Sequence, residues 1–317
     1  MIGLKSDWLM EEKPRHFVAE DYQAAIPRWC PGCGDHAILT SIQKLCKEEQ
    51  LKPEETVFVS GIGCSSRFPH YMNTYGFHGL HGRALPLACG IRSRRPDLNI
   101  FVSTGDGDCT SIGAGHWLHA IRYNMKMVVM LFDNQIYGLT KMQTSPTTPV
   151  GAYSNTHPMG AWIEPLNPIS VVLGITNASF VATTIDWNPP HLYATLKKAY
   201  HHNGTAFIRI VQRCPHFTPN YFTSYMDDPS NILLMDHEDG IPASASMKRY
   251  FKNNTVHDPS DLHKALELAS RTDVMPIGMF YRNDQVQRYH EFSAVGLNTP
   301  NENKLAALEK ELNRFSV

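Results

Sequence analysis

Residues 99–134 read NIFVSTGDGDCTSIGAGHWLHAIRYNMKMVVMLFDN, and this stretch decides the fold. The apolar run 99–103 has the composition of a strand that stops at Gly105-Asp106-Gly107-Asp108, 111–124 reads as a helix, and 127–132 is a second strand ending at Asp133-Asn134-Gln135. Strand, helix and strand in that order make a βαβ unit, and such units build parallel sheets. Working outward, 36–48 carries helical apolar spacing, and 56–60 is a strand that ends at Gly61-Ile62-Gly63-Cys64. Strands at 178–185 and 206–211 enclose a helix at 190–201. The expected fold is α/β, a parallel sheet flanked by helices that binds ligands at the carboxyl ends of its strands. Three segments follow: an N-terminal arm (1–28), an α/β ligand-binding domain (29–220) and a mixed α/β C-terminal extension (221–317). The extension carries helices at 261–269 and 302–312 and a strand at 276–282.

Composition narrows the function. Among 317 residues, 29 Lys and Arg face 30 Asp and Glu for a net charge of -1, and no basic block is present to hold a phosphate backbone, so nucleic acid is excluded as an expected partner. The longest apolar runs, such as 127–132, fall far short of the ~20 residues a membrane span requires, and the N-terminus has no continuous apolar signal segment. A soluble, cytoplasmic protein is expected. Of seven cysteines, Cys46, Cys89 and Cys109 read as packed thiols. Cys30, Cys33, Cys64 and Cys214 instead sit in short motifs, and four thiolates suit either a 4Fe-4S cluster or one structural zinc ion. Spacing does not separate those two.

Gly105-Asp106-Gly107 is followed after 26 residues by Asn134. Mg2+ takes oxygen ligands in near-octahedral geometry, so a carboxylate and an amide carbonyl at adjacent strand ends can hold it while a diphosphate completes the shell. The glycines let backbone N–H groups approach that diphosphate, a helix beginning near Ser111 would point its positive end at it, and Gly138 keeps the second loop close. The pattern resembles the diphosphate-binding signature of thiamine diphosphate enzymes. On that resemblance Asp106, the Asn134 side chain and the Ile136 carbonyl coordinate Mg2+.

From Trp29 to Cys214 the chain resembles the β subunit of a 2-oxoacid:ferredoxin oxidoreductase. The motifs, in order, are WCPGCGDH (29–36), GIGCSS (61–66), HGLHGRALPLACG (78–90), GDGD (105–108), FDNQIYGLT (132–140), QTSPTT (143–148) and QRCPHF (212–217). The resemblance implies the diphosphate-module fold and one 4Fe-4S cluster on Cys30, Cys33, Cys64 and Cys214. It also implies a cofactor lining of Ile62, Gly63, Cys64, Ser65, Leu80, His81, Gly82 and Arg83, completed at the diphosphate by Gly105, Gly107, Asp108, Gly138 and Leu139. His81 and Arg83 can donate hydrogen bonds or positive charge to an anion, whereas His70 and His78 read as structural. Lys141 stands where the family can meet the 2-oxoacid carboxylate. Met142 departs from the family pattern, in which many relatives carry glycine.

The implied reaction is oxidative decarboxylation of a 2-oxoacid, with coenzyme A taking the acyl group and ferredoxin the electrons. The FDNQIYGLTK text favours 2-oxoglutarate, giving succinyl-CoA, over pyruvate or a branched-chain 2-oxoacid. Thiamine enzymes also need a pyrimidine-binding module that supplies a glutamate. One such α/β domain in 317 residues leaves little room for a second, so an α subunit is the expected partner in an αβ or (αβ)2 assembly. Two other readings stand beside this one. The first is a non-oxidative thiamine decarboxylase or synthase half with a structural zinc. The second is an electron-transfer subunit without thiamine, against which the pairing of Gly105-Asp106-Gly107 with Asn134 argues.

Overall fold

The computed structural model describes residues 15–293 and 301–315. Its strands are β1 (Thr56–Ser60), β2 (Tyr75–His78), β3 (Asn99–Gly105), β4 (Met127–Asp133), β5 (Phe180–Ile185), β6 (Thr205–Val211), β7 (Ile232–Asp236), β8 (Asn253–Val256) and β9 (Met275–Arg282). They form a single sheet in the order β2-β1-β3-β4-β6-β5-β9-β7-β8. The six strands from β2 to β5 are mutually parallel, and β9 runs antiparallel to β5. All five residues of β1 and all seven of β4 are buried, as expected of strands covered on both faces.

The helices are α1 (Asp35–Glu48), α2 (Ala84–Arg94), α3 (Ala114–Tyr123), α4 (Pro168–Leu173), α5 (Pro189–Tyr200), α6 (Thr223–Asp227), α7 (Ala245–Phe251), α8 (Leu262–Ala269), α9 (Tyr289–Ser293) and α10 (Asn301–Asn313). Helices α2, α3, α4 and α8 cover one face through Ala88, Trp117, Val172 and Leu268. Helices α1 and α5 cover the other through Ile42 and Leu196, over stacked Phe58 and Phe101 rings 5.0 Å apart. Truncating either ring to Ala costs about 3–5 kcal/mol. The arm segment from Arg15 onward belongs to this second face. The hydroxyl of buried Tyr22 lies between the carbonyls of Leu51 (2.7 Å) and Cys46 (2.9 Å), which share its one proton, while residues 1–14 lie outside the described residues.

Two features depart from the sequence reading. Helix α2 reads poorly because Pro86 and Gly90 interrupt it, yet Pro86 stands in the first turn, where its missing N–H leaves no intrahelical bond unmade. The helix expected near Ser111 begins earlier: Asp106 and Gly107 are already helical, Asp108–Ile112 form a π-type turn, and α3 follows Gly113. That turn places the helical N–H groups beside the end of β3. In the segment 221–317, β7 and β9 extend the main sheet and enclose a small core of Ile232, Leu234, Phe251 and Ile277. Among the described residues no helix is long and apolar enough to cross a membrane.

Candidate cofactor and cluster site

A cleft opens at the carboxyl ends of β1, β3 and β4. Its wall brings together Ile62, Gly63, Cys64 and Ser65 after β1, Gly105, Asp106, Gly107 and Asp108 after β3, Asn134, Ile136, Gly138 and Leu139 after β4, and His81. Leu80, Gly82, Arg83 and Lys141 stand outside the wall. Leu80 is exposed, and the Arg83 guanidinium is turned onto the carbonyls of His81 (3.3 Å) and Ile112 (3.1 Å). Lys141 is exposed, at the next position but one after Leu139.

Asp106 is buried, and its Oδ2 accepts from Ser145 (2.5 Å) and Thr147 (2.7 Å). The Thr147 hydroxyl also lies 2.9 Å from Asp133 Oδ1, and one proton cannot serve both carboxylates. Burial, followed by the Asp133 charge, pushes the Asp106 carboxyl up to about 7. Arg209 partly offsets this by donating its Nε to Asp133 at 2.6 Å. Asn134 is fixed on both sides, since its Oδ1 accepts from Ile136 N (3.2 Å) while its Nδ2 donates to Gln212 Oε1 (2.9 Å). A buried carboxylate short of positive charge, beside an oriented amide oxygen and the Ile136 carbonyl, fits Mg2+. Nearby, the buried Ser65 hydroxyl has no partner and lies against Gly105, a position suited to a diphosphate oxygen.

Asp108 organises the loops. Its Oδ1 accepts from Ile62 N (3.0 Å), Gly82 N (2.7 Å) and His81 Nδ1 (2.5 Å), and its Oδ2 accepts from Thr104 (2.7 Å). The side chain is therefore spent on tying the loops after β1 and β2 to the end of β3. With Nδ1 engaged, His81 keeps Nε2 for another partner. Gly82 is at φ +71°, and a Cβ there would meet Gly113 N at 2.6 Å, so only glycine passes. Ser145, Thr147 and Tyr137, which donates to Gly107 O at 2.9 Å, are site residues the sequence reading did not assign roles. The first two lie in the quoted QTSPTT motif, but only the chain's return across the strand ends shows that they face Asp106.

The four motif cysteines form one neighbourhood. A Cβ on Gly138 would lie 3.6 Å from Cys64 Sγ and 3.9 Å from Cys214 Sγ, and Cys33 feels the charges of Cys64 and Cys214, as Cys64 feels that of Cys30. Burial, then Asp35, holds the Cys33 thiol far above its ordinary range and the Cys64 thiol up at about 12. All seven cysteines are free. Among the described residues no three His, Cys, Asp or Glu side chains converge on a point suited to one metal ion. Cys46 and Cys109 are buried and Cys89 is packed against the core, as expected.

Residues 61–210 match the thiamine pyrophosphate enzyme C-terminal TPP binding domain, and 247–295 match the C-terminal family of the pyruvate ferredoxin oxidoreductase β subunit. A Mycobacterium tuberculosis relative, 2-oxoglutarate oxidoreductase subunit KorB, is 49% identical over 68% of this chain, a match spanning 57% of that protein. The 2-oxoacid:ferredoxin oxidoreductase subunit β of Saccharolobus solfataricus is 36% identical over 83% of this chain and 84% of its own length. Among solved structures, a chain of the 2-oxoglutarate:ferredoxin oxidoreductase from Magnetococcus marinus, with 2-oxoglutarate, coenzyme A and succinyl-CoA bound, superposes with a TM-score of 0.79. It is 33% identical, and the match covers 94% of this chain and 97% of that one.

Proposed function

From the premise that this chain belongs to the β subunits of the 2-oxoacid:ferredoxin oxidoreductases, we propose that it is the cofactor- and cluster-holding half of an enzyme that oxidises 2-oxoglutarate. The products are succinyl-CoA, CO2 and reduced ferredoxin. The observation that carries the reading is the position of Cys64, which lines the cleft beside Asp106 and Asn134 and also belongs to the four-thiol neighbourhood. The site thus joins a diphosphate-metal cradle directly to a redox centre.

When bound, thiamine diphosphate supplies a nucleophilic carbon and an electron sink for 2-oxoacid decarboxylation, and the 4Fe-4S cluster supplies a one-electron acceptor. In this chain Asp106, Asn134 and Ile136 O hold Mg2+, and the Ser65 hydroxyl and the N–H groups around Gly107 receive the diphosphate. His81, oriented by Asp108, offers Nε2 at the cleft wall. Lys141, at the rim, meets the substrate carboxylate. Cys30, Cys33, Cys64 and Cys214 hold the cluster. The glutamate that activates the aminopyrimidine comes from an α subunit in an αβ or (αβ)2 complex, working in the cytoplasm, where thiols stay reduced.

The test is the anaerobically purified complex. Thiamine, Mg2+, iron and sulfide are expected at one cofactor, one ion and one 4Fe-4S cluster per β chain, with 2-oxoglutarate oxidised in preference to pyruvate. A colourless, zinc-loaded complex would refute the cluster, and preferential pyruvate oxidation would refute the substrate.

A further inference from the structure

The hydrogen bonds around Gln212 form a continuous path between the two halves of the site. Asn134 Oδ1 accepts from Ile136 N, so its Nδ2 donates to Gln212 Oε1 at 2.9 Å. Acceptance at Oε1 fixes the Gln212 amide, whose Nε2 then faces Arg213 O and Cys33 Sγ, the latter at 3.3 Å. The two Nε2 protons have two acceptors, one of them a proposed cluster ligand. Gln212 is buried, so the N–H···S bond is sheltered from competing water. Residue 212 follows directly on β6 (Thr205–Val211), and its backbone N–H donates to Asp133 O at 3.0 Å, so the amide is held on a rigid element.

We propose that Gln212 is a positioning residue that sets the reduction potential of the cluster and couples it to occupation of the Mg2+ site. This rests on the reading that Cys33 is a cluster ligand and Asn134 a metal ligand. A hydrogen bond to a ligating thiolate favours the more negatively charged reduced state and raises the potential. A cation at Asn134 Oδ1 draws density from that amide, strengthens its Nδ2 donation to Gln212, and so strengthens the bond that Gln212 donates to Cys33.

The experiment is an EPR-monitored redox titration of the anaerobic complex, with and without Mg2+ and thiamine diphosphate, in wild type, Gln212→Leu and Gln212→Glu. Iron and sulfide are assayed in each sample. The Leu variant is expected to shift the one-electron equilibrium about tenfold toward the oxidised cluster, ~59 mV lower. Glu keeps the acceptor for Asn134 but removes the N–H donor to Cys33, so its midpoint is also expected to fall. The upward shift on Mg2+ and thiamine diphosphate loading is expected to be larger in wild type than in Leu. Because the Glu variant preserves the bond to Asn134, it carries the test if Leu fails to assemble. Normal iron content with unchanged midpoints overturns the relay alone. Absence of iron from the wild-type complex overturns both the relay and the four-cysteine reading.

Discussion

Removing the Asp108 carboxylate is expected to unfasten the cofactor cleft while leaving every proposed metal ligand in place. Asp108→Ala deprives the buried Gly82 N–H and the part-buried Ile62 N–H of their acceptor and frees His81 and Thr104. An unpaired buried donor costs about 1–3 kcal/mol, and the small cavity adds to it, so a total near 3–5 kcal/mol is expected. For a domain of this size that lowers the melting temperature by ~10 °C. Asp108→Asn keeps Oδ1 for the two backbone donors and presents Nδ2 to Thr104, whose hydroxyl can turn to accept. Only charge assistance is then lost, about 1–2 kcal/mol. The assay is thermal unfolding of the purified complex together with calorimetric titration of thiamine diphosphate and Mg2+. Both variants are expected to bind the cofactor more weakly, Ala at least tenfold more weakly than Asn. An Ala variant melting within about 2 °C of wild type would refute the loop-tying role, as would an Asn variant as damaged as Ala.

Asp106 gives a pH dependence. Its folded carboxyl stands at about 7 against an ordinary 3.8, so between those values the folded chain holds a proton that the unfolded chain has lost. Stability of the metal-free protein therefore falls as pH rises from about 4 to about 7. Melting curves across that range should show the slope, to which Asp35, likewise pushed up to about 7 by burial, adds with the same sign; Asp106→Asn, or loading with Mg2+ and thiamine diphosphate, should reduce it by the Asp106 share, and equal slopes in all three would contradict the assignment. Met142 adopts φ +71°, the left-handed region in which a side chain costs about 1–2 kcal/mol, so Met142→Gly is expected to raise stability by ~1 kcal/mol in urea unfolding. A loss of stability would show that packing of the Met142 side chain outweighs the strain. Lys141→Met should raise the KM for 2-oxoglutarate about tenfold or more with a smaller change in kcat, and an unchanged KM would remove Lys141 from substrate binding. Cys214→Ala should lower iron and sulfide content, whereas Cys89→Ala should leave both unchanged; loss of iron in the latter would reassign the ligands.

Strands with buried faces were readable because Val, Met, Leu and Phe fill them without interruption, as in 127–132. The edge strand β2 was not, since all four of its residues are exposed and no burial pattern marks it. The run 232–236 was missed among the Asp, Pro and Asn around it, although it is a buried strand that extends the main sheet. At the site, Asp106 and Asn134 were legible because each terminates an apolar run in a polar loop. The roles of Asp108, Ser145, Thr147 and Gln212 were not, because each depends on which loop folds back over which strand end. Arg83 shows the converse: a cationic side chain in the right motif spends its guanidinium on carbonyls of its own chain.

What the buried acids share is an incomplete balance of charge. Asp106 and Asp133 lie on either side of one hydroxyl with a single arginine paired to Asp133, and Asp35 is fully buried beside Cys33, its carboxyl pushed up to about 7 chiefly by burial. A chain selected for stability alone would replace such carboxylates with amides or apolar groups, because an uncompensated buried charge is among the costlier features a fold can carry. Asp108 is the control within the same site, an equally buried carboxylate whose oxygens accept four hydrogen bonds. The contrast separates an acid whose oxygens are spent on the loops from one left beside a second carboxylate and short of positive charge.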